Sequence, residues 1–443
     1  MIRIARNFSF LTFSSVVQKL VNFAALVVLT RFLGVEGFGA FSVAVSFVSL
    51  FNYVFDGGTN LFLIREVAKD VHTPWKFVRP VFNIKLLLAV VTFILLIVSS
   101  LFLNYSDTIF YSIIVYGLYV FFVNLTNTFT GFFTGLERME YDAAVSVISR
   151  IFIVLLITVL TFLGVTLPSL MLAYLVPGVF IFCVIVYLYF AYIKTHFKTT
   201  KFHVSHGSII KEALPFAVGT LMGEFFFHVD KVMLSKLSSV TSVGFYNSAY
   251  KLSYVSVFIA SSITMPFYPY FARKWHQNPT QGANIFYIIF KLLLAVSVPI
   301  ALTMTIYANK IVLLVFGVDY LPSVLLLQTL TWSIPPIYLT HLTARAMEAM
   351  GFQRVTAKSM LYCSITDIFL NVFFIKWFGP LGAAISTVFA SLLLLYIHVS
   401  FLQKQMSALN LFKPFIAILL PAAGFTLTVA LIDNYLHWMA SIV

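Results

Sequence analysis

The chain has little charge. Of its 443 residues only 10% are Asp, Glu, Lys or Arg, whereas a soluble domain needs roughly 25% to cover its surface. Cysteine is nearly absent: Cys183 and Cys363 lie far apart inside apolar segments, which excludes a disulfide framework and any closely spaced thiolate metal site. No glycine-rich phosphate loop, zinc motif or nucleophile elbow occurs. The polar or periodic sequence of disordered, coiled-coil or collagen-like chains is missing too. What remains is 61% hydrophobic, with a mean hydropathy of +0.99. These proportions describe an all-α polytopic membrane protein.

A spanning helix needs about 20 apolar residues. Runs of that kind occupy 8–32, 38–63, 82–103, 109–133, 142–164, 168–192, 213–237, 244–271, 285–307, 324–350, 355–378, 381–402 and 412–432. Two arginines, Arg3 and Arg6, precede the first run as in a secretion signal, but no small-residue cleavage pattern follows. The run reads as the first membrane helix. Turn signals stand at Gly34 to Gly39, at Leu167-Pro168 and at Gly379-Pro380.

Orientation follows the basic residues. With the N-terminus cytoplasmic, eighteen fall on inner segments, among them Arg65, Lys69 and Lys85, and four on outer ones: Arg31, Lys236, Lys310 and Lys376. This bias accounts for the net charge of +13 through topology and anionic headgroups, with no nucleic-acid partner. The location expected is the cell (plasma or inner) membrane, multi-pass. Outer loops such as 104–108 are too short for a soluble catalytic domain. The polar stretch 194–211 reads as a basic cytoplasmic linker between a six-helix lobe at 1–193 and a second at 212–403. Residues 404–443 supply one to two further C-terminal helices and a tail.

The two lobes repeat one another. Residues 30–44 align without gaps on 235–249, setting Arg31 on Lys236, Gly39 on Gly244 and Ala44 on Ala249. A second pair, GLERME from Gly135 and GFQRVT from Gly351, opens the fifth helix of each lobe. Equal order and sidedness imply a pseudo-symmetric parallel repeat about the membrane normal, as in some secondary transporters.

Several of these residues carry a resemblance. Arg31-Phe32-Leu33-Gly34 with Glu36 and Phe38-Gly39, Asp56-Gly57-Gly58 followed by Arg65-Glu66-Val67-Ala68, Gly351-Phe352-Gln353-Arg354 and Gly379-Pro380-Leu381-Gly382 together resemble the polysaccharide-biosynthesis flippases. The chain is similar to the O-antigen and teichoic-type members of the multidrug/oligosaccharidyl-lipid/polysaccharide exporter superfamily. The resemblance implies two six-helix lobes around a central cavity lined by helices 1, 2, 7 and 8. It also implies a substrate, a glycan on a polyprenyl diphosphate carrier, moved from the inner to the outer leaflet. A glycan polymerase is the candidate protein partner, and the chain is read as a monomer.

Ionisable residues inside a span are costly and default to functional candidates. Lys19 lies about 16 Å along the first helix at 1.5 Å per residue, on one face with Ser15 and Asn22. Glu224, His228 and Lys231 share the same spacing on the seventh helix, and the repeat sets Lys19 on Glu224. Asn247, Lys251 and Tyr254 form a face of the eighth helix, and His341, Arg345 and Glu348 one of the tenth.

Lys19, Asn22, Lys231, Lys251, Tyr254 and Arg345 are therefore the substrate-binding candidates, with cations to offset a diphosphate and polar groups for sugar hydroxyls. Glu224, His228 and Asp367 are candidates for a coupling ion, H+ or Na+; Asp367 is equally suited to pair with Arg150. Asp56, expected to pair with Arg65 or a neighbouring basic group, is assigned with Arg65 and Arg31 to structural roles. No cofactor, metal site or catalytic residue is expected. The alternatives are a multidrug or cation antiporter, which would want a cavity dominated by carboxylates and aromatics, and a membrane glycan polymerase or ligase, which would want a large outer loop bearing arginines and a histidine.

Overall fold

The computed structural model describes residues 2–70, 72–197 and 206–406, and from there on only residues 410–411, 413–417, 421, 424 and 428; side chains of residues 2–17, 19, 20, 215–224, 266, 269, 276 and 416 are outside that description. Every regular element among the described residues is helical. The chain forms two compact units, Met1–Ser235 and Lys236–Val443.

In the first unit, α1 runs Ile2–Asp56 and α2 Thr59–Lys69, followed by α3 Val78–Phe102, α4 Asp107–Gly135 and α5 Met139–Phe162. The short α6 Leu167–Leu170 leads into α7 Leu172–His196, and α8 covers His206–Leu237. The first two expected spans merge, because only Gly34 leaves helical geometry between them (φ 64°, ψ −174°). That backbone region is open to glycine almost alone, so the expected turn at 34–39 is a kink and not a loop. The helix ends instead at Gly57-Gly58, both left-handed (φ 58° and 71°). α4 packs on α1, α2, α3 and α7, and α5 packs on α1 and α7. The core between them is aromatic: Phe129, Phe132 and Phe133 are buried with Tyr189, and Phe133 stacks on Tyr141 at 4.1 Å. Gly135 closes the α2–α4 contact, because a side chain there would run into Val67. Small residues set helix approach in the same way in other membrane bundles.

The second unit contains α9 Val240–Val255, α10 Val257–Gln277, α11 Pro279–Ile306, α12 Ala308–Val315, α13 Ser323–Leu330, α14 Ile334–Ala349, α15 Gln353–Phe378, α16 Pro380–Gln405 and α17 Lys413–Ala417. Its core gathers Phe286, Phe290, Leu293, Tyr338, Leu342 and Leu402. The expected span 324–350 is broken by a 3-10 turn at Thr331–Ser333 ahead of Pro335-Pro336. Prolines tolerate the first turn of a helix, where their missing N–H has no partner to lose. The span 244–271 divides into α9 and α10 at Ser256, and 412–432 lies largely outside the described residues. Among the described residues, eight helices remain long and apolar enough to cross a membrane.

The two junctions that the sequence repeat aligns differ in local geometry. The kink at Gly34 falls on Ser239, whose extended backbone caps α9. The α4–α5 and α14–α15 turns each contain a left-handed residue, Glu137 (φ 60°) and Gly351 (φ 87°). The helices also have two distinct faces. On α3, Leu87, Ile94, Val98 and Leu101 are each more than half exposed, while Ile84, Ala89, Thr92 and Leu96 are buried. An apolar exposed stripe opposite a packed one suits a helix with lipid on one side.

Candidate functional site

The first unit holds a polar cavity of about 100 Å³ bounded by residues of α1, α4, α5 and α7. Arg150 and Asp142 line it from α5, Asn127 and Thr130 from α4, Gln18 from α1. Asp142 belongs to the first turn of α5, where the helix dipole favours a negative group, and Thr130 lines the same pocket. One water needs about 10–15 Å³ of such space, so this volume has room for a small hydrated or anionic group. An arginine and a carboxylate within one polar pocket are far less costly than either facing hydrocarbon.

The same unit also contains a buried ion pair. Lys85 on α3 is fully buried, with Nζ 2.9 Å from Asp56 Oδ1. The same nitrogen donates to the Asn124 carbonyl at 3.1 Å, and the Asn124 side chain donates to Asn52 Oδ1 at 3.0 Å. The Asp56 oxygen is close to the ammonium without being aligned as a hydrogen bond, so their attraction is mainly Coulombic. Asp56 thus pairs with a neighbouring basic group. Arg65 meets Glu66 (2.8 Å) and Glu212 instead.

Lys85, counted among the inner-segment basic residues, belongs to a candidate membrane span: α3 begins at Val78, which sets it about 10 Å along the helix. Its signal in the sequence was its place inside the run 82–103. Asp142 had a weaker signal, two residues past the motif that opens the fifth helix and first in the run 142–164.

The remaining sequence candidates are more dispersed. The side chains of Lys19 and Glu224 lie outside the described residues. Asn22 and Arg31 are exposed, and His228 is half-buried. Lys231 is buried, with Nζ donating to the Phe227 carbonyl at 2.6 Å, and the adjacent Asp230 is buried as well.

In the second unit the expected face of α9 divides: Asn247 is buried, Lys251 is exposed, and Tyr254 stacks on Tyr250 at 4.0 Å. Arg345 is exposed, paired with Glu348 at 2.9 Å and lying over the Tyr268 ring. Asp367 is buried on α15 and accepts from Asn371 Nδ2 at 3.3 Å. No cluster of metal-ligating side chains occurs among the described residues.

Two loops outside the spans fix their charges locally. Lys76 and Thr73 hold the Asp70 carboxyl well below the usual carboxylate range, and Asp70 also accepts from the backbone N–H of Thr73 at 3.1 Å. Arg138, between α4 and α5, bonds Glu140 at 3.2 Å, which raises the guanidinium further above its ordinary value.

Comparison with known proteins agrees with this architecture. A family model described as polysaccharide biosynthesis protein matches residues 4–275. An uncharacterized membrane protein of Methanocaldococcus jannaschii is 22% identical over 83% of this chain and 90% of its own length. A probable low-salt glycan biosynthesis flippase of Haloferax volcanii is 20% identical over 43% of this chain and 40% of its own. Among solved structures, a lipid II flippase in an inward closed conformation superposes with a TM-score of 0.76 at 16% identity, covering 98% of this chain and 100% of that one. An inward-facing multidrug resistance transporter reaches 0.69 at 15% identity, over 89% and 96%. At such identities the likeness concerns the fold, a polytopic helical transporter fold. The family match extends over more than half of the sequence, and on that ground the chain belongs to the polysaccharide biosynthesis protein family.

Proposed function

We propose that the protein is a flippase carrying glycans linked to a polyprenyl diphosphate from the cytoplasmic to the outer leaflet by alternating access, for surface polysaccharide synthesis. Family membership carries this reading. The physical case is that two phosphates and their sugars cannot cross about 30 Å of hydrocarbon unaided, whereas a solvated pocket containing a cation lowers that barrier. Arg150 supplies a cation lining such a pocket, and its planar fork suits a phosphate. Lys19, Asn22, Lys231, Lys251, Tyr254 and Arg345 are carried forward as substrate contacts, and Glu224, His228 and Asp367 as coupling-ion residues. The protein acts as a transporter and not an enzyme, in the cell membrane, with its N-terminus cytoplasmic as the bias of basic residues supports.

Asp142 in the same pocket favours a second reading, exchange of cationic drugs, in a fold that multidrug transporters also use. Binding measured by native mass spectrometry of the full chain in nanodiscs separates the two. A polyprenyl-diphosphate oligosaccharide should bind, and Arg150→Gln should weaken it roughly 10- to 150-fold, the equivalent of losing one charged hydrogen bond. Preference for a lipophilic cation, weakened by Asp142→Asn and indifferent to Arg150→Gln, would overturn the flippase reading.

A further inference from the structure

The C-terminal unit buries a histidine for which the proposed transport reading has no use. His398 on α16 is 2% exposed, and both of its ring nitrogens are bound by hydroxyls from two other helices. Nδ1 lies 2.9 Å from Thr343 Oγ1 on α14, and Nε2 lies 2.8 Å from Ser359 Oγ on α15. Each hydroxyl has one proton, and each also faces a carbonyl of its own helix. Ser359 donates to Thr356 at 2.8 Å, a strong bond, whereas Thr343 reaches Thr340 at 3.3 Å, a weak one. With its proton committed to Thr356, Ser359 accepts from the ring, so Nε2 carries hydrogen.

Thr343 is not committed. Its hydroxyl can donate to an unprotonated Nδ1, or turn to the Thr340 carbonyl and accept from a protonated one. The neutral ring and the imidazolium thus each find two partners, and the only change between them is the rotation of one hydroxyl. We propose that His398 is a reversible proton-binding site of the C-terminal unit, held between Thr343 and Ser359 in both charge states.

The placement suits that role. His398 is seven residues from the end of α16, Thr343 six from the end of α14, and Ser359 six from the start of α15. All three are therefore about 9–10 Å from the same end of the packed trio, shallow enough for a proton to arrive along a turn or two of polar groups. Thr356, one turn nearer that end, brings one more buried hydroxyl.

The charged and titratable groups on the three helices do not crowd the ring. On α14, Arg345 is exposed and paired with Glu348, His341 is half-buried, and the buried Tyr338 donates to the Ser256 carbonyl at 2.7 Å. On α15, Arg354, Lys358 and Tyr362 are exposed, Cys363 is buried one turn beyond Ser359, and Asp367 two turns beyond it. On α16, Tyr396 and Lys404 are exposed. Of the other elements packed on α16, α13 and the Thr331–Ser333 turn carry no charge. α9 meets it near Thr387, eleven residues away, through Tyr246; its Tyr250 is buried, Tyr254 half-buried and Lys251 exposed.

The test is nitrogen-15 spectroscopy of histidine-labelled full-length protein in lipid nanodiscs, with the His398 signal assigned by its loss in His398→Gln. The expected wild-type spectrum at high pH is a neutral ring protonated on Nε2, which becomes doubly protonated as the pH is lowered while the protein stays folded. Ser359→Ala should move the neutral ring's proton to Nδ1, since Thr343 is then the only partner able to accept it. Thr343→Val, nearly isosteric, should show only the neutral ring at a pH where the wild type shows both forms. If His398→Gln does not fold, the signal displaced by both Ser359→Ala and Thr343→Val makes the assignment. A ring that keeps one protonation state until the protein unfolds, or a tautomer unmoved by Ser359→Ala, would overturn the proposal. Neither result depends on the transported substrate, so failure here leaves the flippase reading standing.

Discussion

Lys85→Met should be among the most damaging single substitutions in the N-terminal unit. The wild-type ammonium is fully buried, 2.9 Å from Asp56 and 3.1 Å from the Asn124 carbonyl, while the Asp56 side chain keeps 16% exposure. Removing the lysine leaves a carboxylate facing apolar helices with its counter-charge gone, a loss of about 3–5 kcal/mol for a buried pair. Asp56→Asn should be the worse of the two single changes, because the charge it strands is the one with no access to water. The double variant Lys85→Met/Asp56→Asn removes both charges and should recover much of the loss, leaving a coupling of about 2 kcal/mol or more in a double-mutant cycle. Thermal and denaturant unfolding of the purified protein in one detergent gives all four corners. Near-additive losses, or a Lys85→Met protein as stable as wild type, would mean that the pair does not hold α1 to α3.

Three further outcomes are expected. Gly135→Val should destabilise the α2–α4 contact, since even a Cβ there comes within 2.7 Å of Val67 and 3.0 Å of the Ile64 carbonyl. Overpacking of that kind costs about 1–3 kcal/mol, and an unchanged melting temperature would show that the helices can separate freely. Asp70→Asn should lower the melting temperature at neutral pH. Because folding depresses this carboxyl, its contribution is complete above the unfolded value of about 4 and fades as pH falls through the lower folded value. The gap between variant and wild type should therefore close in acid, and a gap constant down to pH 3 would contradict the assignment. Gly34→Val should straighten or strain the kink in α1, where φ is 64°, and reduce stability by about 1–3 kcal/mol; tolerance of valine would mean that the kink is not held.

Much of the architecture was legible in the sequence because membrane helices are written in long apolar runs. The ends of α3, α4, α5, α15 and α16 lie within a few residues of the runs that announced them. Hydropathy does not distinguish a loop from a kink, so Gly34 read as a turn between two spans when it bends one long helix. The polar groups were harder to place for a related reason. Spacing reports which residues share a face of one helix, but the pairing of Asp56 with Lys85 and the gathering of Asp142, Arg150 and Asn127 depend on how separate helices pack. His398 was silent because a lone histidine in an apolar run has no pattern; its partners are 55 and 39 residues away in sequence. Arg345 is the easier case, because its partner Glu348 is three residues along the same helix.

The flippase reading is tested most directly by translocation in proteoliposomes. A polyprenyl-diphosphate oligosaccharide is placed in both leaflets, and the fraction open to an externally added glycan-modifying enzyme is followed with time, against protein-free vesicles. The account predicts that the protein raises the accessible fraction from about half toward completion, and that Lys19→Ala and Arg150→Gln slow this. Vesicles that retain an inaccessible half with several such lipids, while the same preparation exchanges a lipophilic cation for protons, would contradict it and identify an antiporter.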